Sequence, residues 1–198
     1  MTMAELSTQV QDLYVAYFGR PADYFGLQYW TKMAATPSGF AGMVQAFATS
    51  AEYQGMVSGM DNRALVDTVY EHLFGRAAET AGVDYWAGLL DSKVISIADV
   101  VTSVASGAQG LDNVVFQDKV QTAEIFTDHV DQANERLAYT GANANTLAHD
   151  YLAAIKDEAS AAYALDPANI DALIAKISTV IYTAGMEEPV HLVGVQPG

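Results

Sequence analysis

The sequence predicts an all-α protein: a multi-helix array in which one three-helix unit is used twice and a longer-helix bundle comes after it. Three observations carry that expectation. Apolar residues recur at helical spacing through most of the chain. A seventeen-residue segment, 14–30, returns 56 residues later at 70–86 with eight positions identical. Glycine and proline stand where these helical stripes stop, as helix ends require.

The first element is an apolar stripe of Val10, Leu13, Tyr14, Tyr17 and Phe18. Gly19 is placed to end that helix in a left-handed cap, and Pro21 blocks its continuation. Asp23 is positioned to cap a second helix that turns Leu27, Trp30 and Met33 inward. After Pro37, Ser38 and Gly39, a third helix carries Phe40, Met43, Val44 and Phe47. The second copy repeats the scheme with Val66, Val69, Tyr70, Leu73 and Phe74, a stop at Gly75, then Val83, Trp86, Leu89 and Leu90, then Ile97, Val100, Val101 and Val104.

Beyond residue 110 a single long helix is expected over about 112–139, with Phe116, Val120, Ala123, Val130 and Leu137 inward. A further helix carries Leu147, Tyr151, Leu152 and Ile155. The last opens with Asp166 as cap and Pro167 in its first turn, runs through Ile170, Leu173, Ile174, Ile177 and Ile181, and stops at Gly185. The expected organisation is two tandem repeats within 1–110 (about 9–55 and 65–110), a C-terminal helical subdomain over 111–185 packed on them, and a linker over 186–198 leading to a further domain.

Composition narrows the function. With 24 acidic against 9 basic residues the formal net charge is −15, so phosphate backbones and anionic headgroups are repelled. Nucleic acid is therefore excluded as a partner. No apolar run approaches the ~20 residues needed to cross a bilayer, so membrane insertion is not expected. Cysteine is absent, which removes disulfide frameworks, thiolate zinc sites and cysteine nucleophiles together. His72, His129, His149 and His191 are dispersed without metal-ligand spacing. Glu124, Asp128, Asp131 and Glu135 line one face of the expected long helix and admit Ca²⁺ only at lattice or partner contacts; no cofactor is otherwise implied. Without a phosphate loop, a nucleophile elbow or a nucleophile–base pairing, the chain reads as a non-enzyme.

Most repeated residues have a scaffold reading. Phe18 and Phe74 fill stripes, Gly19 and Gly75 supply positive φ, and Arg20 and Arg76 serve helix ends or pair with Asp23 and Glu79. Gly26 and Gly82 let backbones approach, and Trp30 and Trp86 bury large surfaces. The residues left over point to sugar recognition. Tyr24, Phe25, Tyr29 and Tyr85 offer aromatic planes for the C–H faces of sugar rings, while Asp23, Gln28 and Asp84 suit hydroxyls.

The run Phe-Gly-Arg-x-x-Asp-x-x-Gly-Leu-x-Tyr-Trp at 18–30, with Ser50-Ala51-Glu52-Tyr53 after it, resembles an uncharacterised helical repeat family. That family is found at the N-termini of bacterial surface-layer and RTX-type proteins exported by type I secretion. Phe116-Gln117-Asp118-Lys119-Val120 resembles the segment located after the repeats in such proteins. The second copy departs from the pattern: Glu79 replaces Asp, and Ser106-Gly107-Ala108-Gln109 lacks the acidic-aromatic ending. The resemblance implies an extracellular, cell-surface location, reached through a C-terminal secretion signal outside this chain. The partner it implies is lipopolysaccharide O-antigen polysaccharide. A self-assembly module of an adhesin or lattice, and a helper domain of a secreted enzyme, are the alternatives.

Overall fold

The computed structural model describes residues 1–37 and 39–183, and these contain helices and connections with no β-strand among them. The first repeat comprises α1 (Met3–Phe18), α2 (Tyr24–Ala34), α3 (Gly39–Thr49) and α4 (Ala51–Met56). The second comprises α5 (Asn62–Phe74), α6 (Thr80–Asp91) and α7 (Ile97–Ser106). Then come α8 (Gly110–His129), α9 (Ala133–Ala138), α10 (Ala142–Ala153), α11 (Glu158–Ala164) and α12 (Pro167–Thr183).

The leading helices of the two repeats end in the same way. Gly19 and Gly75 sit in the left-handed region at φ 61° and 65°, and each donates its N–H to the carbonyl four residues back. The turn after each is held from the helix before it. Gln11 Oε1 accepts from the Ala22 N–H at 3.0 Å, and Asp67 Oδ1 accepts from the equivalent Ala78 N–H at 3.2 Å. The motif arginines then reach across to a carboxylate and a turn carbonyl. Arg20 donates from Nε and Nη2 to the Glu52 carboxylate (2.7–3.0 Å) and from Nη1 to the Pro21 carbonyl. Arg76 makes the same fork to Asp112 at 2.8 and 2.6 Å and bonds the Ala77 carbonyl. Each guanidinium also lies over two rings of its own helix, Tyr14 and Phe18 in one copy and Tyr70 and Phe74 in the other.

The partner carboxylate shows how the copies diverge. Glu52 would map onto Ala108, which cannot accept, and the acid comes instead from Asp112, one helical turn later on α8. The short α4 of the first repeat has no separate counterpart, and the first turn of α8 takes over its task. Arg20 is 5% exposed, whereas the Arg76 side chain is 38% exposed.

Helices α1, α5 and α8 pack on one another pairwise, with α2 on α1 and α6 on α5. The larger core runs from Leu6 to Ala123 and takes in Leu152, Ile155, Ala161 and Ala164. An aromatic cluster anchors its first-repeat end, with Phe47 edge-on to Tyr14 and Trp30 and Tyr53 edge-on to Tyr17. A smaller core joins Phe126, Val130, Tyr139, Ala148, Ile170 and Ile174. The boundary between the two cores therefore falls within α8.

Several expectations need correction. The long helix over 112–139 is two helices: α8 stops at His129, Val130 adopts ψ 65°, and a Gln132–Glu135 capping box starts α9. Tertiary contacts reward the break. Val130 is buried, its carbonyl accepts from Arg136 Nε, and Tyr139 donates its hydroxyl to the Pro21 carbonyl at 2.8 Å. Leu137 consequently faces solvent, and the acidic row of Glu124, Asp128, Asp131 and Glu135 is not one helix face. Met33 and Phe40, expected inward, are exposed. Helix α11 was not expected; its Asp157–Ser160 capping box is the signal that marks it, and Ile155 lies buried in the connection before it. Gly26 accommodates a side chain rather than a backbone, because a Cβ there would collide with the Tyr14 hydroxyl. The expected stop at Gly185 and the linker over 186–198 lie outside the described residues.

The arginine forks yield a first prediction. Glu52→Ala strands a buried guanidinium and is expected to cost about 2–4 kcal/mol in urea unfolding, whereas Asp112→Ala, at a more solvated pair, costs about 1 kcal/mol or less. Equal costs at the two sites would contradict this account.

A second prediction concerns pH. Burial, helped by the neighbouring Glu124 charge, pushes the Asp12 carboxyl on α1 up to about 6. The folded state thus prefers the protonated acid, a preference that contributes in full below about pH 4 and is lost as pH rises through 6. Asp12→Asn keeps that position neutral at every pH. It is expected to stabilise by about 1–3 kcal/mol at pH 7, with the gain vanishing at pH 4. A gain of the same size at both pH values would show that the charge is not the cause.

Candidate functional site

The seven residues singled out for sugar recognition lie on α2 and α6 or at the entry to α2. Asp23 is the N-cap of α2, its Oδ1 accepting from the Gly26 N–H at 2.8 Å. Tyr24 holds its ring 3.8 Å from the Arg136 guanidinium carbon and stands edge-on to Phe25. That cation–π contact fastens α9 to the start of α2. Asp84 pairs with Arg63 of α5, an exposed salt bridge. These three side chains therefore carry structural contacts.

The other four are differently placed. Phe25, Gln28 and Tyr29 follow one another at i, i+3 and i+4 on the outer face of α2, none of them buried. Met33 continues that face by one more turn. Tyr29 is backed edge-on by the buried Trp30, with ring centroids 4.9 Å apart. Tyr85 occupies the equivalent position on α6, backed by Trp86 at the same 4.9 Å, and is 60% exposed. The second copy lacks the companions, since Ala81 stands for Phe25 and the tethered Asp84 for Gln28. The structure thus brings together an aromatic–amide face on α2 and repeats only its tyrosine on α6.

A second cluster lies where the C-terminal ends of α1 and α5 meet α8 and α10. His72 turns Nδ1 to the Ala16 carbonyl, and Lys119 donates from Nζ to the Glu71 and His72 carbonyls at 3.0 and 2.8 Å. Each base satisfies a terminal carbonyl of the preceding leading helix, and Lys119, where protonated, also offsets the negative end of α5. Burial, with His149 and Lys119 nearby, lowers the His72 pKa to about 4 despite its carbonyl contacts. Burial likewise brings Lys119 down to about 7, Glu71 opposing and Lys156 adding to the shift. The His72 and His149 rings stand edge-on with centroids 5.6 Å apart. Gly19 makes room for both, since a Cβ there would sit 2.8 Å from each ring.

Sequence reasoning missed this cluster because its histidines are 77 residues apart. One signal was present: Lys119 interrupts the Phe116–Val120–Ala123 stripe of α8, and a cation on a buried face needs acceptors. Among the described residues, no group of three or more His, Asp or Glu side chains is placed to hold a metal ion. No described helix is long and apolar enough to cross a membrane.

Comparison with known proteins adds one finding. Residues 44–109 match a family model described as a domain of unknown function, DUF4214. The match takes in the second repeat whole and begins in α3, so that it includes the Glu52-bearing α4. No curated protein and no solved structure matches the chain.

Proposed function

We propose that this chain is a non-catalytic module that holds a secreted protein of the surface-layer or RTX type on the outer cell surface by recognising lipopolysaccharide O-antigen polysaccharide. The observation that supports the reading best is the outer face of α2. There Phe25 and Tyr29 present aromatic surface on a rigid helix, and Gln28 stands between them with an amide that both donates and accepts. Sugar rings offer apolar C–H faces to such planes and hydroxyls to such amides. The backing of Tyr29 by Trp30 limits its rotamers, which reduces the entropy lost on binding. Tyr85 supplies a second, sparser platform. The charge of −15 favours an uncharged polysaccharide over the phosphorylated headgroups of the same lipid.

A self-assembly module is the second reading, and Met33 and Phe40 favour it. Both are apolar and exposed, and Met33 extends the Phe25–Tyr29 face beyond the width of a sugar ring. Bridging Ca²⁺ between acidic surfaces of neighbouring copies belongs to this reading.

Sedimentation with lipopolysaccharide that carries or lacks O-antigen tests the proposal. Wild type is expected to co-sediment only with the O-antigen form. Phe25→Ala, Tyr29→Ala and Tyr85→Ala should melt within a few degrees of wild type, with Tyr29→Ala and Phe25→Ala binding at least about tenfold more weakly and Tyr85→Ala less affected. Binding that persists without O-antigen, or in all three variants, would remove the glycan reading. Concentration-dependent association that needs Ca²⁺ and is lost in Met33→Ser would establish the second.

A further inference from the structure

We infer that Lys119 is a covalent modification site, an amine set to take a two-carbon acyl group from a small activated acyl donor. The inference rests on how its Nζ is held. Lys119 lines a pocket of about 40 Å³ together with Gly19, Glu71, His72, His149 and Ala153, space for such a group. Gly19 and Ala153 bring no bulky side chain to its wall, and the half-buried His149 forms part of it.

Nζ makes two hydrogen bonds, to the Glu71 and His72 carbonyls. A neutral primary amine keeps two N–H donors, so loss of the third proton leaves both bonds intact and frees a lone pair at the remaining tetrahedral position. The site therefore tolerates the reactive form of the amine without stranding a buried acceptor. The charged or titratable groups around Nζ are Glu71 and His72 from α5, His149 from α10 and Lys156 beyond it. Burial and the Lys156 charge favour the neutral amine, and Glu71 opposes them. The other four lysines, Lys32, Lys93, Lys156 and Lys176, are exposed.

In the reaction the lone pair forms a C–N bond to the acyl carbon, the donor's leaving group departs with its electron pair, and the displaced proton passes to water. The amide product has one N–H and no charge. One carbonyl at the end of α5 then loses its donor, and the negative end of that helix loses its counter-charge. Since Lys119 is carried by α8, acylation loosens α8 from α5.

Competitive trace labelling of the intact chain with acetic anhydride, read by peptide mass spectrometry, tests this without any variant. At pH 7 Lys119 is expected to acylate at least about tenfold faster than the four exposed lysines, because a neutral-amine fraction roughly a thousandfold larger outweighs its lower basicity and narrower access. Its labelling should reach half its maximum near pH 7, and in urea the five lysines should label alike. Labelling of Lys119 at or below the rate of the exposed lysines in the folded chain overturns the proposal and leaves it a helix cap alone.

Discussion

The guanidinium of Arg20 serves three requirements of the first repeat with one planar group. It lies where α1 ends at Gly19 and the chain must turn, and its Nη1 satisfies the Pro21 carbonyl within that turn. Its fork takes the Glu52 carboxylate and so fixes α4 against the turn. Its flat face covers Tyr14 and Phe18, joining the turn to the aromatic core. Burial works against the charge, yet Tyr139, Glu52, Tyr14 and Asp23 around it outweigh that and hold it protonated. Tyr139 belongs to the smaller core and also bonds Pro21, so both cores meet at this turn.

The second repeat keeps the device and changes the supplier. Arg76 retains its fork, its turn carbonyl and its two rings, while Asp112 on α8 replaces an acid on a dedicated short helix. The physical demand is for a carboxylate within reach of the fork, and a shift of one helical turn meets it. Having α8 do this ties the second repeat to the elements after it. Gln11 does the same for the first repeat, since its amide donates to Thr127 on α8 while its oxygen holds the Ala22 N–H.

Where α1, α5 and α8 converge, two negative helix ends lie close together in a chain already rich in acid. A buried donor from the next helix satisfies a carbonyl at each of them, His72 for α1 and Lys119 for α5. The arrangement asks unusual things of these groups: a neutral imidazole donating to a carbonyl, and an amine that keeps its contacts in either protonation state. The aromatic face of α2 differs in kind, since Phe25, Gln28 and Tyr29 lie away from this packing and reach the surface.

The sequence by itself determined the helical class, the repeat, and the helix ends at Gly19, Asp23, Gly75 and Asp166, because these depend on local facts. A glycine at positive φ, an aspartate within reach of free N–H groups, and an apolar stripe at 3.6-residue spacing act over a few residues. Tertiary structure alone decided the break at Val130, the exposure of Met33, Phe40 and Leu137, and the replacement of Glu52 by Asp112 in the second copy. It likewise decided that Tyr24 carries Arg136 while Phe25, Gln28 and Tyr29 remain on the surface. The reason is the same in each case. These outcomes turn on which groups meet across tens of residues or more of chain, and a contact between distant partners leaves no periodicity for local reading to detect.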